Sequence, residues 1–420
     1  MNREIIRLAV PSIVSNITVP LLSLVDIAIV GHIGNASYLA AISVGAMIFN
    51  VMYWVLAFLR MGTSGMTAQA YGAKDRAGIN WLFKRSLSIG FLLGVAMLVC
   101  MVPIRSVAMI LMQVGDSSVH LVSTYFNIVI FGAPAVLGSF ALNGFLIGMQ
   151  NTKTPMLVAV SQNVINIVFS LMFVFVLKMD IAGVALGTAL SQWIAFLMLY
   201  FSSRRLYPEE TVLGLRSPFN RDKSGDGAST YDANRMAAFF STNRDIFFRT
   251  LCLVAVNLFF TSAGSAQGEV ILAVNTLIMT LFTLFSYVMD GFAFAGEALA
   301  GRFVGAEDRK SLGQLHRNLL VWGGLFTVLF TMVYYLGGDG FLSLLTSDNT
   351  VIEASHDYSF FALLIPVCGV LAFIYDGLFI GMTRTKEMFL SCFVGAIFFF
   401  GIYYFFFSAL GNIALWIALL

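Results

Sequence analysis

Asn143-Gly144-Phe145-Leu146-Ile147-Gly148-Met149-Gln150-Asn151-Thr152-Lys153 returns 233 residues later as Asp376-Gly377-Leu378-Phe379-Ile380-Gly381-Met382-Thr383-Arg384-Thr385-Lys386, with six of eleven positions identical. At the same offset, Gly72-Ala73-Lys74-Asp75-Arg76 matches Gly305-Ala306-Glu307-Asp308-Arg309 at four of five positions. One such match could be coincidence. Two at one offset, each at the polar end of an apolar run, mark a duplicated unit.

The apolar runs say what is duplicated. A bilayer-crossing helix needs roughly 20 mostly apolar residues. The chain offers eleven such stretches and a shorter twelfth: 6–31, 39–68, 86–112, 118–148, 156–177, 181–201, 246–267, 270–301, 314–336, 354–382, 387–408 and 411–420. The twelfth is still apolar at Leu420, so it is expected to be a short helix or the start of a longer one. The longest polar stretch, 202–245, separates six spans from six. The expected organisation is an N-lobe over 1–201, a cytoplasmic linker over 202–245 and a C-lobe over 246–420. With six helices each, both lobes start on the same side of the bilayer. The repeat is then parallel, about an axis along the membrane normal, with a central cavity between the lobes. The expected fold class is an all-α polytopic membrane protein of about 12 transmembrane helices.

Composition agrees. Hydrophobic residues make up 59% of the 420 and charged residues 11%, against about a quarter charged in soluble domains. A net charge of +2 gives no reason to expect nucleic-acid binding. Cys100, Cys252, Cys368 and Cys392 sit singly in apolar runs, as small hydrophobes rather than metal ligands. When alternate loops are assigned to opposite sides, 22 of 24 basic residues fall on one side, leaving Arg105 and Lys178 on the other. By the positive-inside bias, that side and both chain ends are expected to be cytoplasmic.

Ionisable residues inside the membrane cost roughly 2.5–3.5 kcal/mol on insertion scales, so each is a functional candidate. Asp26 lies deep in the first span, between Leu24-Val25 and Ile27, with no basic residue within a helical turn. Such a carboxylate can take up a proton or bind sodium, or be capped by a neighbouring helix. Pro11 and Pro20 in the same span free backbone carbonyls and allow bending. On the fifth span, Asn166 and Ser170 are four apart and share a face, with Gln162 and Asn163 nearby. Their neutral oxygens can complete a cation site, or simply bond helix to helix. Tyr125 and Thr188 are further oxygen donors on the fourth and sixth spans. The second lobe carries Asp290 and Glu297, seven apart on the eighth span, with Asn257, Asn275 and Asp376. Glu297 could pair with Arg302 or Arg249, and Asp376 with Arg384. No phosphate-binding loop, nucleophile elbow or zinc motif occurs in the sequence, so an enzyme is not expected.

As a set, these motifs resemble the multidrug and toxic compound extrusion (MATE) family, and within it the DinF-like branch. The matching residues are Pro11, Val25-Asp26-Ile27-Ala28-Ile29-Val30-Gly31-His32-Ile33-Gly34, Leu39-Ala40-Ala41, Asn163-Val164-Ile165-Asn166-Ile167 and Gly183-Val184-Ala185-Leu186-Gly187-Thr188. In the second half they are Arg244-Asp245-Ile246 and Asp290-Gly291-Phe292-Ala293-Phe294-Ala295-Gly296-Glu297. The resemblance implies secondary active export of small organic cations from a bacterial inner membrane, driven by protons or sodium, by a monomer without cofactors. It also implies a cation site at Asp26 and Asn166, with Tyr125 and Thr188 contributing. Family members often carry a second Asp where this chain has Ser170. One carboxylate instead of two offers less charge to a bare sodium ion, which favours proton coupling over sodium.

Two other readings compete with drug export. A flippase for a lipid-linked saccharide would call for Arg or Lys in the cavity, and the basic residues are expected at the rim. An intramembrane enzyme or receptor would give the repeat no evident purpose.

Overall fold

The computed structural model describes the chain apart from residues 32–35, 113–114, 212–224 and 347. The side chains of 19–31, 36–37, 39, 116–117, 225–232, 339 and 341–345 also lie outside the description. The first lobe contains α1 (Asn2–Gly31), α2 (Ala36–Leu56), α3 (Phe58–Gly72), α4 (Arg76–Val99), α5 (Met101–Leu111), α6 (Asp116–Val129), α7 (Ala133–Gly148), α8 (Lys153–Leu171) and α9 (Asp180–Leu206). The second contains α10 (Gly225–Ser265), α11 (Glu269–Gly305), α12 (Arg309–Leu345), α13 (Asn349–His356), α14 (Ser359–Gly381), α15 (Thr385–Leu410) and α16 (Asn412–Leu419). Among the described residues no strand occurs, and ten helical segments are long and apolar enough to cross a membrane. This is an all-α polytopic membrane protein.

Several expected spans are interrupted. The second is split into α2 and α3 at Ala57, three residues before Arg60. The third breaks at Cys100, where Pro103 has no N–H for the carbonyl of Val99. The fourth passes through a 3₁₀ turn at Ile130–Gly132. In the fifth, α8 runs into a π-helical turn at Met172–Val176, which begins two residues after Ser170. The stretch expected as linker is helical from Gly225 onward and continuous with the seventh span.

The repeat read from the sequence is present in the backbone. Lys74 and Glu307, 233 apart, both take a left-handed conformation (φ 56° and 55°), as do Gln150 and Thr383 (φ 63° and 53°). The hydrogen bonds match as well. Lys74 N donates to Tyr71 O and Asp75 N to Ala70 O, while Glu307 N donates to Val304 O and Asp308 N to Phe303 O. Asp75 then caps α4 through Gly78 N, and Asp308 caps α12 through Ser311 N. These paired turns end a helix with a left-handed residue and start the next with an Asp cap.

The lobes meet in a symmetric seam. α3 packs on α11, α1 on α11, and α10 on α2 and α3. Near one end, a Cβ on Gly72 would stand 2.0 Å from the carbonyl oxygen of Arg302, and a Cβ on Gly305 would stand 1.9 Å from that of Gln69. Residues 72 and 305, like 69 and 302, are repeat equivalents, so this is one contact made twice. Between them Gly301 faces its own equivalent, Ala68, with an added Cβ 2.5 Å from the Ala68 Cβ. Small residues let membrane helices approach backbone to backbone, which substitutes packing for the hydrophobic drive absent in lipid. Gln69 Nε2 donates to Gly381 O at 3.0 Å and Gln150 Nε2 to Ala298 O at 2.7 Å, tying the lobes together at the same end. The loops at this end carry Lys74, Arg76, Lys153, Arg309 and Lys386, and it is called the basic end below.

Gly305→Val should therefore lower the melting temperature of the purified protein by several degrees. Gly313→Val, where an added Cβ meets nothing within 4 Å, should leave it nearly unchanged. Equal stability of the two variants would show that the seam does not hold the lobes.

Candidate functional site

The polar residues of the fifth and sixth spans come together as expected. Asn166 on α8 is 1% exposed, and its Nδ2 donates to Thr188 Oγ1 on α9 at 3.1 Å. Thr188 Oγ1 in turn donates to Val184 O at 3.0 Å. Ser170 is fully buried one turn further along, beside Gly187, whose missing Cβ leaves room for it at 2.7 Å. Asn166 Oδ1 and Ser170 Oγ have no hydrogen-bond partner among the described residues. Two buried, unsatisfied oxygens on one helix face are costly unless something completes them.

α1 packs against α8, and Asn163 Nδ2 donates to Thr18 O at 3.0 Å. Both helices start at the basic end and run in the same direction. From the Thr18–Asn163 level, eight residues along α1 lead to Asp26 and seven along α8 lead to Ser170. At 1.5 Å per residue the two lie at nearly one depth. Asp26 is within α1, and its side chain lies outside the described residues.

The second lobe does not duplicate this site. The repeat equivalents of Asp26, Asn166 and Ser170 are Phe259, Phe399 and Tyr403. Those rings pack edge to face instead, with the Phe259 centroid 5.9 Å from that of Phe399 and 5.0 Å from that of Tyr403. Symmetry of backbone is thus combined with asymmetry of chemistry.

The C-lobe acids occupy a different position, facing the first lobe. Glu297 on α11 is 1% exposed and pairs with Arg60 of α3, Nη1 to Oε2 at 3.5 Å. Asp376 on α14 hydrogen-bonds Arg249 on α10. Asp290, half-buried on α11, lies within electrostatic reach of Asp376, Arg60 and Arg249. Three acids and two arginines make up the cluster, one carboxyl group more than there are guanidinium groups.

This corrects the expected pairings. Glu297 pairs with neither Arg302, which holds Glu4 at 3.0 Å, nor Arg249. Asp376 does not pair with Arg384, which reaches Glu387 instead. Nor are the basic residues confined to the rim, since Arg60 and Arg249 sit inside spans. Sequence reasoning counted both with the adjoining loops, and it offered Arg249 to Glu297 rather than to Asp376. The signal was a lone Arg in the apolar runs Phe58-Leu59-Arg60-Met61 and Phe247-Phe248-Arg249.

The remaining candidates are placed elsewhere. Tyr125 packs against Gly45 and Phe49 on α2. Asn257 is half-buried on α10. Asn275 is a fastener for α16: its Nδ2 donates to Asn412 Oδ1, while its Oδ1 accepts from Asn412 Nδ2 and from Trp416 Nε1, all within 2.9 Å.

The MatE family model matches residues 11–172 and 246–405, one segment in each lobe. The chain belongs to the MATE family. It is 34% identical over 418 residues to DNA damage-inducible protein F of Escherichia coli K12, covering 100% of this chain and 88% of that protein. It is 27% identical over 401 residues to the chloroplastic Protein DETOXIFICATION 44 of Arabidopsis thaliana, covering 91% and 72%. A probable multidrug resistance protein NorM of Thermotoga maritima is 23% identical over 363 residues, covering 84% and 74%. Among solved structures, a MATE crystal structure in the bent conformation superposes with a TM-score of 0.86 at 21% identity, covering 99% of this chain and 91% of that one. An outward-facing multidrug resistance MATE transporter gives 0.83 at 22% identity, with the same coverage. These MATE proteins are transporters rather than enzymes, and this chain is a multi-pass membrane transporter of the DinF-like branch.

Asn275→Leu removes three buried hydrogen bonds worth about 0.5–1.5 kcal/mol each. It should lower thermal stability by roughly 2–4 kcal/mol while transport per folded molecule persists. Lost transport at unchanged stability would make Asn275 part of the transport machinery instead.

Proposed function

We propose that this transporter exports small cationic, amphipathic organic molecules in exchange for protons or sodium ions, by alternating access between its two lobes. The surplus of acid in the interlobe cluster carries this reading: Asp290, Glu297 and Asp376 against Arg60 and Arg249. An excess of carboxylates over guanidinium groups favours cations and disfavours a pyrophosphate headgroup, which weighs against the lipid-linked saccharide flippase despite the two intramembrane arginines. The relatives described as multidrug resistance proteins point the same way. Both lobes are in one chain, so a monomer suffices. We place the protein in a bacterial inner membrane, with the basic end and both chain ends cytoplasmic.

Coupling centres on Asp26, with Asn166, Ser170 and Thr188 as neutral oxygen donors at the depth just described. Taking up a cation at Asp26 changes the hydrogen bonds available to α1. That helix contacts the other lobe along α11, where Asn16 Nδ2 donates to Tyr287 O at 3.2 Å. A change in the path of α1, eased at Pro11 and Pro20, therefore bears directly on the lobe interface. With Ser170 in place of a second carboxylate, a proton is favoured over sodium.

In proteoliposomes with separately imposed proton and sodium gradients, Asp26→Asn should abolish gradient-driven export of a fluorescent organic cation while the protein stays folded. Wild-type rates in that variant would rule the mechanism out. Ser170→Asp, which adds a second carboxylate one turn after Asn166, should increase the response to a sodium gradient. An unaltered sodium response would remove Ser170 from the coupling site.

A further inference from the structure

Arg60 belongs to the N-lobe, but its guanidinium lies in a C-lobe setting. Nη1 is 3.5 Å from Glu297 Oε2, and the guanidinium carbon is 4.3 Å from the centroid of the Phe294 ring. Phe294 and Glu297 are three apart on α11, so ring and carboxylate share a face. A carboxylate beside an aromatic face is general recognition chemistry for organic cations, because ring quadrupole and negative charge act together.

The fit to Arg60 is loose. A guanidinium fork on a carboxylate makes paired contacts of about 2.7–2.9 Å. Here the closest ion-pair contact is 3.5 Å, and neither Arg60 Nη1 nor Glu297 Oε1 has a well-formed hydrogen bond among the described residues. The Ser64 hydroxyl lies alongside, outside good hydrogen-bond geometry. No other arginine takes over, since Arg302 is held by Glu4 and Arg249 by Asp376.

We propose that Glu297 and the Phe294 ring form an organic-cation subsite that Arg60 occupies while the lobes are closed at the basic end. The inference deepens the export reading and rests on it for the direction of transport. Arg60 is anchored to α3, and Glu297 and Phe294 to α11, the two helices joined by the seam at Ala68–Gly301, Gly72 and Gly305. Parting that seam withdraws Arg60. Three acids then face Arg249 alone, and a buried carboxylate that has lost its partner strongly favours a new cation. An organic cation arriving from the basic end takes the vacated place. Reclosure returns Arg60, which competes with the bound cation and drives it onward. Arg60 is thus a tethered substitute for substrate.

The test is ethidium binding to purified protein, followed by fluorescence polarisation, with ethidium export by wild type in proteoliposomes measured separately. Arg60→Gln should bind ethidium at least several-fold tighter than wild type. Adding Glu297→Gln should abolish the gain, and adding Phe294→Leu should reduce it. An Arg60→Gln protein that binds no tighter, or whose gain survives Glu297→Gln, overturns the subsite. If Arg60→Gln does not yield monodisperse protein, Arg60→Lys serves in the same comparison, because a point charge holds ring and carboxylate less well than a planar guanidinium. There too a Glu297-dependent gain supports the subsite, and its absence overturns it. Should wild type export no ethidium while the Glu297-dependent gain appears, the export reading fails and the subsite stands.

Discussion

Backbone-to-backbone contact between α3 and α11 is the constraint on which the rest of the structure depends. Gly72 and Gly305 each press against a carbonyl of the opposite helix, and Gly301 meets Ala68 on the pseudo-symmetry axis. Side chains of ordinary size would hold the helices apart. The close approach brings Arg60 across to Glu297 and lets Gln150 and Gln69 reach carbonyls of the other lobe. Beside it, Ile5, Leu8 and Ala9 of α1 and Ile147 of α7 join the apolar core of the second lobe, so close backbone packing and hydrophobic contact together hold the lobes.

Duplication supplied this symmetry, and divergence filled it unequally. The N-lobe keeps Asn166 and Ser170 where the C-lobe has an edge-to-face aromatic cluster around Phe259. In the other direction, the C-lobe acids Asp290, Glu297 and Asp376 stand opposite Ala57, Ser64 and Asn143 of the N-lobe. Each lobe therefore holds polar chemistry where its counterpart is neutral or aromatic. The neutral oxygens of one lobe and the carboxylates of the other are joined through the helices that meet at the seam, α1, α3 and α11.

Intramembrane charge is tolerated here by pairing across elements that are distant in sequence. Arg249 and Asp376 are 127 residues apart, and Arg60 and Glu297 are further apart still. A buried ion pair contributes little net stability over a hydrophobic replacement, while breaking one is costly. Persistence of two such pairs among otherwise apolar helices is better understood as a functional arrangement than as a source of stability.

Sequence alone determined the class of structure. Twenty-residue apolar runs in lipid leave few alternatives to helices, the basic residues gave an expected sidedness, and two motif matches at one offset disclosed the repeat. It also singled out Asn166, Ser170 and Thr188, because polar oxygens at helical spacing in an apolar run are visible without coordinates. What it could not decide was which charge meets which. The sequence reading suggested Glu297 with Arg302 or Arg249 and Asp376 with Arg384, and it suggested that Asn275 was a site residue. Partners across a bundle are chosen by helix rotation and interhelical approach, which no local pattern encodes. Only the tertiary structure gave Glu297 to Arg60, Asp376 to Arg249, and Asn275 to the last helix.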